Sequence, residues 1–143
     1  MIVNPNKYIR SAYVSALKLA TRLPVWYKKV PITVKPIPSK YIILDSQTKN
    51  ETTNGKIDCF EWLTTIDVNI YNIVTLGTSD ASVVDDLEQI VINTCRISMR
   101  LDGGFSNKNT KILESLDLSL DTSTTSVDRK LIKFQIWVDR VEL

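Results

Sequence analysis

Residues 61–73, EWLTTIDVNIYNI, constrain the fold more than any other stretch of the chain. In an extended chain Trp62, Thr64, Ile66, Val68 and Ile70 fall on one side, and Leu63, Thr65, Asp67, Asn69 and Tyr71 on the other. A period of two sustained over this length, in a stretch rich in β-branched residues, predicts a strand with one face in a core and one facing solvent or a partner. A polar, turn-forming segment precedes it and a capped amphipathic helix follows. It therefore reads as the central strand of a small antiparallel sheet.

The elements around it follow from their own patterns. Residues 6–22 predict a helix, with Ile9, Ala12, Tyr13, Ala16, Leu17 and Ala20 on one side and Lys7, Arg10, Lys18 and Arg22 opposite; Val14 is the misfit. Asn4 or Asn6 is placed to cap it, and Pro24 to stop it. The connector LPVWYKKVPITVKPIPSK carries Pro24, Pro31, Pro36 and Pro38, which exclude a helix and allow at most an edge strand near 25–30 or 31–34. Residues 40–47 predict a second strand. Asn54-Gly55 is a type I′ turn signal that joins it to 61–71 as a long hairpin with a projecting tip.

A second helix is expected near 79–100, capped by Thr78, Ser79 or Asp80, with acids early and Arg96 and Arg100 late. Its expected buried stripe is Val83, Val84, Leu87, Ile90, Val91, Thr94 and Ile97, with Cys95 at the border and Ile92 on the polar side. Asp102-Gly103-Gly104 would end it and 105–110 would be a loop. Strands are expected at 112–121, where Leu116, Leu118 and Leu120 alternate with polar residues, and at 130–141, where Ile132, Phe134, Ile136 and Val138 oppose Lys133, Gln135, Trp137 and Asp139.

The sum is an α+β fold of order α-β-β-α-β-β: one domain over residues 1–143, with a single antiparallel sheet of about four or more strands and two helices packed on one face. Ile66, Val68, Leu87, Ile90, Val91, Phe134 and Ile136 are the expected core. The other sheet face, with Asp67, Asn69, Tyr71, Lys133, Gln135 and Trp137, is too apolar to be idle and too polar to be a core, which suits a partner surface.

Composition narrows the function. There is no run of about 18 apolar residues to span a membrane, and MIVNPNKYIR lacks the apolar core of a secretory signal. Cys59 and Cys95 form no motif and read as reduced thiols in a protein made in the cytoplasm. Histidine is absent, which removes the commonest general base and most zinc sites. No catalytic set emerges: Asp85 and Asp86 diverge on their helix, Cys59 has no activating histidine, and Gly103-Gly104 lacks the lysine of a phosphate loop. Asp80, Asp85 and Glu88 read as helix-end charges rather than cation ligands. The net charge of +2 hides a split: residues 1–44 carry eight basic residues and no acid, and the remainder ten against sixteen acids. Such a chain can show faces of opposite sign.

Four pieces, covering most of the chain, resemble the tail-terminator and tail-completion proteins, the head–tail joining or neck proteins of tailed bacteriophages. They are the helix IRSAYVSALKLA with its proline-bearing sequel, the strand YIILDS opening a long hairpin, the strand TTIDVNIY followed by the helix DDLEQIVINTC, and the closing strand KFQIWVDRV. The four prolines before the second strand exceed that pattern. The resemblance implies a non-enzymatic virion protein without cofactor or metal, assembled in the cytoplasm of a host bacterium. Such proteins form homo-oligomeric rings, commonly hexameric, between the head connector and the tail. DNA passes through the ring without sequence-specific binding, and no membrane is involved.

Asn54, Gly55 and Lys56 at the hairpin tip, with Tyr71, Ile92 and Trp137 on the sides of their elements away from the expected core, are the candidate oligomer and partner contacts. A monomer whose connector covers the second sheet face, with Trp26 packed on Trp137, is the simpler alternative. A small basic nucleic-acid-binding module using Tyr8, Tyr13, Trp26 and Tyr27 is the competing function, although the usual signatures of such modules are missing. An adaptor in a contractile injection machine is a third reading, which the sequence does not separate from the first.

Overall fold

The computed structural model describes residues 4–52, 59–97 and 99–141. Helix α1, Asn6–Thr21, buries Ile9, Tyr13 and Leu17 at four-residue spacing. It starts behind Pro5, where Asn4 Oδ1 accepts from Asn6 N at 3.0 Å, and stops at Arg22. That residue turns to φ 58, and its amide donates to the Lys18 carbonyl at 2.9 Å. Strands β1 (Val25–Tyr27), β2 (Lys40–Thr52) and β3 (Cys59–Thr75) follow, then helix α2 (Ala81–Arg96) and strands β4 (Phe105–Asp117), β5 (Leu120–Asp121) and β6 (Thr125–Val141). The six-stranded sheet runs β1-β2-β3-β6-β4, with β5 also on β6.

This corrects the expected class. The order is α-β-β-β-α-β-β-β, and the sheet is mixed, not purely antiparallel: β1 pairs parallel to β2, Val25 opposite Ile42 and Tyr27 opposite Leu44. Ile42 N donates to Pro24 O at 3.0 Å and Lys28 N to Leu44 O at 2.8 Å, which closes the pairing at both ends. The edge strand expected near 25–30 is present as β1, but three residues are too few to show which way it pairs. A parallel neighbour needs a connection that carries the chain back to the starting end, and the proline-rich connector supplies it. The other misplacement is 105–110, expected as a loop but the start of β4. Its polar residues pair through the backbone with β6, and Phe105 plugs the end of the core against Trp62 (5.5 Å between ring centroids) and Tyr8 (5.3 Å). The Tyr8 ring lies so close to the turn before β4 that a Cβ on Gly103 (φ 75) would come within 2.7 Å of it.

β3 and β6 pair antiparallel from Cys59↔Val141 to Thr75↔Thr125 and form the spine of the sheet. Their inner-face residues Ile66, Val68, Ile70, Ile132, Phe134 and Ile136 are inaccessible to solvent, as are Ile42 and Leu44 of β2. Both helices pack on this one core cluster, with Tyr13 edge-on to Phe134 at 6.0 Å. Thr64 is buried there too, its Oγ1 donating to the Ile136 carbonyl at 2.9 Å. Gln47, beside a bulge in β2, ties α1 down: its Nε2 donates to Asn6 O at 2.9 Å, and its Oε1 accepts from Arg10 Nη1 at 3.2 Å.

Helix α2 is capped by Asp80, whose carboxylate accepts from Ser82 N at 3.0 Å and Ser82 Oγ at 2.7 Å; these bonds hold the Asp80 pKa below its ordinary value. Its buried residues are Val84, Val91 and Cys95, with Leu87 and Ile92 at the flanks. The stripe is thus turned by roughly 70° from the expected one at 100° per residue. Ile90 is 38% exposed instead of buried, and Ile92 packs against the core flank instead of facing away. The cause is Glu88, which sits on the inner side because Lys130 of β6 meets its Oε2 at 3.2 Å and Asp85 Oδ1 at 3.2 Å. Burial opposes the charge on Lys130, but the two carboxylates outweigh it and raise its pKa.

Candidate functional site

The outer face of the sheet carries an extended array of polar and aromatic side chains. Register places Tyr41, Tyr71 and Arg129 in one row, Ile43, Asn69 and Leu131 in the next, and Asp45, Asp67 and Lys133 in the third. Tyr41 and Tyr71 stack at 4.9 Å with planes 18° apart. Trp26 packs on Tyr41 from β1 at 5.9 Å, and the Arg129 guanidinium lies 5.3 Å from the Tyr71 ring centre. Asn69 locks the array. Its Oδ1 accepts from Arg129 Nη2 at 2.8 Å and Nε at 3.2 Å, while its Nδ2 donates to Ile43 O at 3.3 Å. Asp67 is buried with no hydrogen bond to Oδ1 and with Lys133 Nζ 3.9 Å from it. Burial raises its pKa and Lys133 opposes the rise.

Of the expected contact residues, the three that are described, Tyr71, Ile92 and Trp137, do not form one patch. Asn54, Gly55 and Lys56 lie outside the described residues. Tyr71 is half-buried in the aromatic stack. Trp137 is 44% exposed and shares the outer face, but sits opposite Leu63, about 26 Å along the strands from Tyr71 at the strand rise per residue. Ile92 is on the other side of the sheet, under α2. Trp26 is engaged by Tyr41 and not by Trp137, so the β1 end of the outer face is covered by the chain itself while the Trp137 end is open.

Three further surfaces stand out. Lys7, Arg10, Ser11, Val14, Ser15 and Tyr27 line a shallow basic groove of about 320 Å³ between α1 and β1. Arg10 lies 4.4 Å and Lys28 5.6 Å from the centre of the Tyr27 ring. Ile90, Asn93, Thr94, Ile97 and Met99 line an apolar groove of about 420 Å³ on the outside of α2. At the far edge of the sheet, Leu113, Leu116, Leu118 and Leu120 are all exposed between Glu114, Asp117 and Asp121. Alternation in 112–121 signals a strand in the sequence, but not that its leucines stay exposed at the sheet edge.

Among the described residues no three His, Cys, Asp or Glu side chains gather to hold a metal ion. Burial pushes the Cys95 thiol well up, against the opposing pull of a hydrogen bond with Tyr13, so it stays protonated and inert. No helix among the described residues is long and apolar enough to cross a membrane.

The fold has solved counterparts. A chain of the virion of a native gene transfer agent particle is similar at a TM-score of 0.62 and 12% identity, over 95% of this chain and 99% of that one. A second solved chain is similar at a TM-score of 0.52 and 14% identity, over 92% and 94%. At such identities the likeness is one of fold. No family model and no curated protein matches the chain.

Proposed function

We propose that the chain is a structural protein of a tailed-phage-like virion: a ring-forming tail-terminator or neck subunit that joins the head connector to the tail and lets DNA pass without reading its sequence. The observation that carries this reading is the end-to-end likeness to a virion chain, with almost nothing left over in either protein. The split of charge, the open Trp137 end of the outer face and the exposed leucine edge support it, since a subunit of an assembly needs several contact surfaces. In this role the protein is not an enzyme, needs no cofactor, and acts in the virion after assembly in the host cytoplasm.

The nucleic-acid reading loses its stacking platform. Tyr13 is buried, Tyr8 packs on Phe105, Trp26 on Tyr41, and Tyr27 lies between Arg10 and Lys28. Multi-angle light scattering and electron microscopy of the purified chain, alone and with tail and connector proteins, test the proposal. A ring, or a ring within a neck, is expected. A chain that stays monomeric in every mixture would sink it.

A further inference from the structure

The two edges of the sheet are complementary in both charge and apolarity. One edge ends in β1 and the connector between β1 and β2. There Ile32 and Ile37 stand 82% and 58% exposed, among the exposed Lys28, Lys29, Lys35 and Lys40, in a segment with no acid at all. The opposite edge ends in β4 and β5, where LESLDLSLD leaves four leucines between 36% and 55% exposed. Glu114, Asp117 and Asp121 interleave with them, and residues 112–124 hold no base. Leu116 pairs opposite Leu131 and Leu120 opposite Val127, so the apolar surface runs inward from the edge.

A row of exposed leucines marks a contact surface. Its acids turn away anionic lipid and nucleic acid, and call for an occupant that is apolar and basic. This chain carries such a surface on its other edge. We propose that the connector of one copy, through Ile32 and Ile37 with Lys29 and Lys35, docks on the Leu113–Asp121 edge of the next copy. The contact joins two different patches, so it repeats head to tail and closes into a ring when the rotation allows. It is made by side chains and does not extend the sheet. Pro31, Pro36 and Pro38 have no N–H to donate, and β4 is interrupted by register shifts between Asn107 and Asn109 and between Ile112 and Glu114. The inference rests on the ring reading above and assigns the pair of surfaces that closes it.

A complementary charge swap tests it. One full-length variant carries Glu114→Lys, Asp117→Lys and Asp121→Lys; a second carries Lys28→Glu, Lys29→Glu, Lys35→Glu and Lys40→Glu. All seven side chains are exposed, and circular dichroism with denaturation midpoints verifies that both variants fold. By sedimentation velocity each variant alone is expected to lose the self-association of the wild type, because its two edges then have the same sign. Mixed in equal amounts, they are expected to associate again, alternating around the ring. Leu116→Ser with Leu120→Ser, which leaves the charge unchanged, is expected to lose association as well. If the wild type and every variant alone all associate, the edge pairing is overturned while the ring reading stands. If the wild type does not associate at any concentration, with or without its tail and connector partners, both fall.

Discussion

The inner and outer faces of the β3–β6 pair are written by the same two strands, one residue out of phase, and they are built on different physics. Inside, Ile66, Val68 and Ile70 meet Ile132, Phe134 and Ile136 in a layer without access to water, held by apolar burial under two helices. Outside, Asp67, Asn69 and Tyr71 oppose Lys133, Leu131 and Arg129. Part of that face is nearly as buried as the core, yet no helix covers it: Trp26, Tyr41 and Arg129 fold down over Ile43 and Asn69. Order on the inside comes from packing. On the outside it comes from stacking and hydrogen bonds, at one end only. The Trp137 end is more open, with the indole 44% exposed.

The largest expected effect tests the inner side. Phe134→Ala removes a ring packed against Tyr13 and should cost about 3–5 kcal/mol, read as a lowered urea midpoint. An unchanged midpoint would mean that the two faces are reversed. Asn69→Ala comes next. It strips the acceptor from Arg129 and the donor from the Ile43 carbonyl at a site only 3% exposed, and should cost about 1–3 kcal/mol by the same assay. If it costs nothing, the outer array is decoration on a face held by other means.

The faces of the sheet were legible in the sequence because a period of two survives wherever one side is buried. Ile66, Val68, Phe134 and Ile136 announce themselves, and so do the polar residues between them. Helix α2 was misread because counting apolar residues cannot see a partner on another element. Glu88 looks like a solvent residue until Lys130 is brought over it, and the whole stripe turns with it, taking Ile90 out and Ile92 in. The edge strand near 25–30 was legible but its parallel sense was not, since three residues carry no period, and the polar start of β4 is a strand only because β6 offers it hydrogen bonds. Of the candidate contacts, Trp137 was legible as an outward aromatic in an alternating strand. The burial of Asn69 and the capping of Tyr71 by Arg129 were not, since both depend on register between strands far apart in sequence.

A smaller effect is expected where the outer face opens. Trp137→Ser should change stability by on the order of 1 kcal/mol or less, because the indole is already 44% exposed, and should leave the circular-dichroism spectrum intact. If the open end is a partner surface, the same variant should weaken assembly in light scattering. Unfolding of Trp137→Ser would make the residue part of the core and move the contact elsewhere.

The smallest effect and the sharpest sign belong to Asp67. It is buried on the outer face beside Lys133 at 3.9 Å, too far for a hydrogen bond, with Asp45 and Glu114 also acting on it. Burial is the largest influence and raises its pKa, so the folded protein holds this proton more tightly than the unfolded chain does. Below the unfolded value near 3.8 the carboxyl is protonated in both states and contributes nothing. As pH rises through the folded value, ionisation costs the folded state stability, and that cost persists at neutral pH. Asp67→Asn keeps the shape and removes the charge. It should therefore raise the urea midpoint at pH 7, leave it unchanged near pH 3, and flatten the pH dependence between. A lowered midpoint at pH 7 would show that Lys133 outweighs burial, and that the outer face is held there by an ion pair after all.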